Sequence, residues 1–164
     1  MSNYKSVLVA VDLNPDNKSV IEKAREICES NSATMHLIHV VEPISYGYSD
    51  GMMSWSDGLI SVEASIRDDA RRKLTEMAGE LSVAPEFQHF RSGRASAEIH
   101  DVATELDIDL IILGTHGQAG LQLLLGSTAN AVLHGATCDV LAVRIKESSV
   151  VLYRGLGESL VCLR

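Results

Sequence analysis

Ser6-Val-Leu-Val-Ala-Val11 is apolar almost without a break and rich in valine, and this narrows the possible folds more than any other stretch of the chain. A strand with one wet face alternates in polarity, whereas a strand without alternation has to be covered on both faces. Thr34-Met-His-Leu-Ile-His-Val-Val41, Ile108-Asp-Leu-Ile-Ile-Leu113 and Asp139-Val-Leu-Ala-Val-Arg144 share that character. Pro85-Glu-Phe-Gln-His-Phe-Arg91 alternates weakly and reads as one more strand, third in chain order. Helical patterns separate the five. Strands that alternate with helices imply right-handed crossovers and a parallel sheet. The expected fold class is therefore α/β: a single doubly wound, Rossmann-like domain with a five-stranded parallel sheet and helices on both faces.

The helical segments carry their own signals. Asn14-Pro15-Asp16 offers an N-cap, a proline at the first helical position and an early acid. Val20, Ile21, Ala24, Ile27 and Cys28 then form one buried stripe, and Asn31-Ser32 breaks the helix. Residues 44–61 mix glycine, serine, aromatics and methionine without a period, the pattern of a long loop. From about Val62 a second helix sets Ala70, Leu74, Met77, Ala78 and Leu81 on one face, with Arg67, Asp68, Arg71, Arg72, Lys73 and Glu76 on a solvated face. Ser92-Gly93-Arg94 turns into a third helix with the stripe Ile99, Val102, Ala103 and Leu106. A fourth begins at Ser127, carries Ala131, Val132 and Leu133, and stops at Gly135 as a C-cap.

A chain of 164 residues with 46% apolar and 22% charged residues suits one globular domain. We place the domain at residues 1–147 and a C-terminal extension at 148–164. In the extension Val150-Val-Leu-Tyr153 and Leu160-Val-Cys-Leu163 form two short apolar strands around Arg154-Gly-Leu-Gly-Glu158. Alone they would be a sticky hairpin, so the expectation is burial against a partner subunit. A net charge of −8 disfavours nucleic acid and acidic membranes as partners. No apolar run nears the roughly 20 residues of a membrane helix, and a strand pattern starts at once, so the expected location is the cytoplasm. Cys28, Cys138 and Cys162 form no metal spacing and are expected as reduced thiols, Cys28 in the core.

Chemistry concentrates in Gly114-Thr-His-Gly117-Gln-Ala-Gly-Leu-Gln-Leu-Leu-Leu-Gly126-Ser127-Thr128. Glycine lets backbone N–H groups approach an anion, and a helix N-terminus adds free donors and a partial positive charge. Ser127 and Thr128 add hydroxyls. The stretch is neither a Walker loop, which needs Gly-Lys-Ser/Thr, nor a dinucleotide Gly-x-Gly-x-x-Gly. In parallel sheets ligands bind beyond the carboxyl ends of strands, at a switch in strand order. Asp12, the end of the second strand and the glycine stretch share that edge. Asp12 either solvates its strand end or meets a ligand, accepting from ribose hydroxyls or an adenine amino group or helping to hold Mg²⁺. Val40 either packs in the core or offers backbone groups to a base. His116 reads as a turn residue facing water, His36 and His39 as strand residues, and His134 as a helix-end residue. No catalytic constellation and no metal-ligand set emerge.

These residues resemble the universal stress protein family. The resemblance covers roughly residues 4–146, through Val7-Leu-Val-Ala-Val-Asp12, Leu37-Ile-His-Val40, Gly114-Thr-His-Gly117, Gly126-Ser127 and Asp139-Val-Leu-Ala-Val143. It implies a five-stranded parallel fold of the adenine-nucleotide hydrolase-like type, usually dimeric through the last strand. One branch of the family binds ATP through Gly-x₂-Gly-x₉-Gly-Ser/Thr, and another lacks the glycines. By position, Asp12 and the Val40 backbone would meet adenosine. Gly114, Gly117, Gly126, Ser127 and Thr128 would surround the phosphates, with Thr115 and His116 in the turn. Eight residues, Gln118 to Leu125, separate the last two glycines where the motif has nine. The resemblance implies a stress-response regulatory module holding ATP, or ADP or AMP, with or without Mg²⁺, and at most slow ATP hydrolysis. The alternative is a dimer that works through protein contacts without a nucleotide. A ligase of similar fold is disfavoured, because Val11-Asp12-Leu-Asn-Pro-Asp lacks the Ser-Gly-Gly-x-Asp-Ser loop of those enzymes.

Overall fold

Val7 and Val9 are fully buried against one layer of helices and Leu8 against another. Burial of consecutive side chains on opposite faces is what the unbroken apolar run requires. A computed structural model describes residues 4–14, 17–43, 57–116 and 126–145, the side chains of 57–60 and of His116 excepted. In chain order the elements are β1 (Ser6–Ala10), α1 (Lys18–Asn31), β2 (Thr34–Val41), α2 (Asp57–Glu80), β3 (Gln88–Ser92), α3 (Ala95–Glu105), β4 (Leu110–His116), α4 (Ser127–Gly135) and β5 (Asp139–Ile145).

The strands are all parallel and lie in the order β3-β2-β1-β4-β5. Helices α1 and α2 cover one face through Val20, Ala24, Leu74 and Ala78, and α3 and α4 cover the other through Ile99, Val102, Ala129 and Val132. Strand order reverses between β1 and β4, so the connections leaving these two neighbours diverge and open a crevice at their carboxyl ends. At the opposite end Asp109 ties the pair together. Its Oδ2 accepts the backbone N–H groups of Lys5 at 2.7 Å and Ser6 at 2.9 Å, and these bonds hold its carboxyl below the usual carboxylate range.

The architecture agrees with the sequence reading, and several local expectations do not. The N-cap of α1 is Asn17, not Asn14, whose carbonyl instead accepts the Asn17 N–H at 3.1 Å in a preceding turn. Helix α2 begins at Asp57 rather than near Val62, consistent with an acid favoured at the positive end of a helix. The rest of the expected loop, residues 44–56, lies outside the described residues, as does the extension from residue 148. Pro85–Phe87 form a single 3₁₀ turn and β3 starts only at Gln88, because Pro85 fixes φ and supplies no N–H to a ladder. Leu106 follows α3 and is 36% exposed, and Leu133 faces outward from α4, where Ala129 and Val132 carry the burial.

Gly135 is not a left-handed C-cap. It is the last residue of α4, and the cap, Ala136, is extended. A Cβ at 135 would lie 2.3 Å from Cε1 of His100, whose Nε2–H donates to the Val132 carbonyl at 3.0 Å. The glycine thus lets the imidazole of α3 approach the backbone of α4. Left-handed backbone falls instead on Ser32, Ser82 and Asp107, just past the ends of α1, α2 and α3, and on Leu13 in the turn after β1.

Candidate functional site

Beyond the ends of β1, β2 and β4 lies a cleft of about 310 Å³, walled by Asp12, Asn17, His39, Val40, Gly114, Gly126, Ser127 and Thr128 among others. Six of the nine residues singled out in the sequence therefore line one cavity. Ala10, Ile38, Ile99 and Leu113 give it an apolar floor. The walls come from both helical layers, since α1 supplies Asn17 at its start and α4 supplies its first turn.

Asp12 is fastened at the mouth of the cleft. Its Oδ1 accepts the Asn14 N–H at 3.1 Å, and its Oδ2 accepts from Asn14 Nδ2 at 3.1 Å. Asn17 Nδ2 also donates to Oδ1. Asn17 is only 3% exposed. A buried amide aimed at a carboxylate orients that carboxylate, and it also offsets the cost of burying the amide. Asp12 thus binds the turn that follows β1 and lines the cleft wall at once. His39 is fixed in a similar way: its Nδ1–H donates to the Val11 carbonyl at 2.7 Å, which sets the tautomer and joins the ends of β1 and β2. The sequence reading missed Asn17 and His39. Position after Asp12 was the one signal for Asn17, and period-2 placement on β2 gave none for His39.

The glycines divide into two kinds. Strand β4 runs on through Gly114, Thr115 and His116, which pair with Val143, Arg144 and Ile145. The expected turn at Thr115 and His116 is therefore strand. Parallel pairing with β5 continues because nothing before His116 interrupts the ladder. Thr115 is buried, donates its hydroxyl to the Val143 carbonyl at 3.5 Å and does not line the cleft. For His116 only the backbone is described, and Gly117 lies outside the described residues. At Gly114 a Cβ would come within 2.5 Å of Ile145 Cδ1 and 3.2 Å of Val20 Cγ2, so packing inside the protein already favours glycine.

Gly126 is the opposite case. It is the N-cap of α4 with φ −53°, and among the described residues a Cβ there would meet nothing within 4 Å. Neither its backbone conformation nor packing against the described residues requires glycine. Helix α4 carries no side-chain cap and no acid in its first turn, and Ser127 and Thr128 are exposed. Helix α3 is different, because Glu42 Oε1 accepts the Ala95 N–H at 3.0 Å and Glu98 sits in the first turn. The N-terminus of α4 thus faces the cleft with no acid of its own and with donors that no described residue engages.

Away from the cleft, His36 Nδ1 and His89 Nε2 lie 3.1 Å apart across β2 and β3, with the rings stacked at 5.4 Å between centroids. Burial lowers the pKa of both, and at His89 the His36 and Arg91 charges lower it further while Glu105 opposes them. Cys28 is pushed up to about 11, first by burial and then by Glu29, so it is an inert thiol of the core. Among the described residues no group of three or more His, Cys, Asp or Glu could hold a metal, and no helix is long and apolar enough to cross a membrane.

Residues 3–144 match the protein family described as Universal stress protein family. Universal stress protein A homolog 1 of Coxiella burnetii is 46% identical over 147 residues, which are 88% of this chain and 99% of that protein. Among solved structures, the hypothetical protein MJ0577 superposes with a TM-score of 0.69 at 22% identity, over 90% of this chain and all of that one. A universal stress protein in complex with cAMP superposes with a TM-score of 0.51 at 19% identity, over 88% of this chain and all of that one.

Proposed function

Because the chain belongs to the universal stress protein family, we propose that it is a cytoplasmic stress-response module that binds an adenine nucleotide, ATP foremost, in the cleft at the β1–β4 switch. The observation that carries this reading is Gly126, a glycine that no described residue requires by packing, at the start of a helix that faces the cleft and has no side-chain cap among the described residues. A ligand phosphate is the kind of group that would use the space left by its missing Cβ. In this reading Asp12, held by Asn17, accepts from ribose hydroxyls, and the Val40 backbone and the apolar floor take the adenine. The first N–H groups of α4, with Ser127 and Thr128, hold phosphate. Any Mg²⁺ would ride on the phosphate oxygens, which suits an ion that keeps most of its waters.

Calorimetric titration with ATP and Mg²⁺ tests the reading, with AMP and cAMP as competing ligands. Saturable heat with ATP is expected, and absence of heat and of any thermal shift at millimolar nucleotide would refute it. The eight-residue spacer between Gly117 and Gly126 favours a second reading, a stress protein that acts through protein contacts alone. That reading calls for a dimer and no nucleotide. Dimerisation through the outer edge of β5 is part of both, and sedimentation of the full chain against one ending at residue 147 measures what the extension adds.

A further inference from the structure

The cleft does not end at α4. Ser127 and Thr128 also form a wall of a second hollow of about 480 Å³, whose other walls are Glu42, Arg94, Ser96 and Ala131. A ligand anchored on the first turn of α4 therefore has a continuation, and Arg94 stands in it.

Arg94 differs from most other arginines of this chain. Arg25, Arg67, Arg72 and Arg91 each pair with a carboxylate, and Arg71 lies over the Phe90 ring. Arg94 is exposed, and among the described residues no hydrogen bond, ion pair or ring contact engages its side chain, while its carbonyl accepts the Glu98 N–H at 3.1 Å. Its backbone is the N-cap of α3 in an extended conformation, which places the residue at the rim between the two helix starts. The one acid of the hollow, Glu42, is engaged on the Ala95 N–H. That bond turns the positive end of α3 away from service as a second anion site and leaves the guanidinium as the one cation of the hollow's described walls. On a chain of net charge −8, an unpaired guanidinium beside two hydroxyls and an uncapped helix start is a strong local attractor for an anion.

We propose that Arg94 is a specificity-determining residue that engages the terminal phosphates of the bound nucleotide, so that the chain prefers nucleoside triphosphates to monophosphates. This rests on the nucleotide reading above and adds to it the direction of the phosphate tail: adenosine between Asp12 and Val40, the first phosphate at Ser127 and Thr128, and the distal phosphates toward Arg94. A planar guanidinium forms paired hydrogen bonds with phosphate oxygens, and a monophosphate held at α4 presents none that far along the groove.

The test is calorimetry of ATP and AMP against the full-length wild type, Arg94→Ala and Arg94→Lys, with Arg72→Ala as a control for net charge. Arg94→Ala is expected to weaken ATP by about tenfold or more and to leave AMP within about twofold, as loss of a charged hydrogen bond implies. Arg94→Lys is expected to recover part of the ATP affinity, and Arg72→Ala to change neither ligand. Equal weakening of ATP and AMP, or unchanged ATP binding in Arg94→Ala, overturns the role of Arg94 while leaving the nucleotide reading intact. A wild type that binds neither ligand overturns both, and that outcome is seen before any variant is made.

Discussion

Gly114 stands against Ile145: a Cβ on the glycine would lie 2.5 Å from the Cδ1 of the isoleucine, which is 2% exposed. The contact joins β4 to β5 beneath the cleft and assigns this glycine to packing. Gly114→Ala is expected to destabilise the protein by about 1–3 kcal/mol, the usual cost of overfilling a packed core. Ile145→Val removes the offending methyl, so the double variant should recover part of the loss. Urea unfolding of the four proteins in the cycle measures the coupling.

Gly126→Val makes the contrasting experiment. Its Cβ meets no described residue within 4 Å at a permitted φ, so the loss of stability should be about 1 kcal/mol or less, the cost of valine at an N-cap. Nucleotide affinity should fall by at least tenfold if a phosphate uses that space. A stable variant with unchanged ATP affinity would remove the main support for the site.

Asn17 tests the fastening of Asp12. Asn17→Ala should cost about 1–3 kcal/mol, since it removes a buried partner of a charged group. Asn17→Asp should be worse at neutral pH, because it sets a second carboxylate against the first. Protonation of either acid relieves the repulsion, so its deficit should shrink as pH falls from 7 to 4. Denaturant midpoints across that range report the effect.

The His36–His89 pair sets an acid limb. Both imidazoles have folded-state pKa values below the ordinary 6.5, first through burial, and at His89 through His36 and Arg91 as well. The unfolded chain then binds more protons below that value. Stability is fully present above about pH 6.5 and is lost as pH falls through the unfolded value toward the lowered ones. His89→Gln should flatten the fall between pH 7 and 5, and an equally steep limb would show that other groups govern it.

Ser82 holds φ +57° two residues past the end of α2. Ser82→Gly should raise stability by roughly 0.5–1 kcal/mol, the left-handed relief less the added freedom of the unfolded chain. Thermal melting of the two proteins decides it.

The sheet was legible because Val7 to Val11 and Ile108 to Leu113 bury both faces, and burial on both faces erases alternation. The cleft was legible in outline because Val40 lies near the end of a strand, Asp12 lies just past one and Gly126 precedes a helix, where topology puts ligands. Gly114 and Gly126 are the same letter, and only the positions of Ile145 and Val20, distant in sequence, separate a packing glycine from an open one. Asn17 reads as an ordinary polar residue until α1 swings it under Asp12. The late start of β3 and the true cap of α1 depend on backbone bonding that one or two prolines perturb without announcing where.

Asp109 meets Ser6 across 103 residues of chain, at the foot of the same β1–β4 pair whose upper ends frame the cleft. Closing so large a loop is among the slower events of folding. A cleft framed by Asp12 on one side and Gly114 and Ser127 on the other is therefore complete only after that closure. A nascent chain that has made β1 to β3 holds half of the walls and none of the α4 donors. Ligand capture would accordingly mark chains that have finished folding, and truncated or partly unfolded copies would carry no signal.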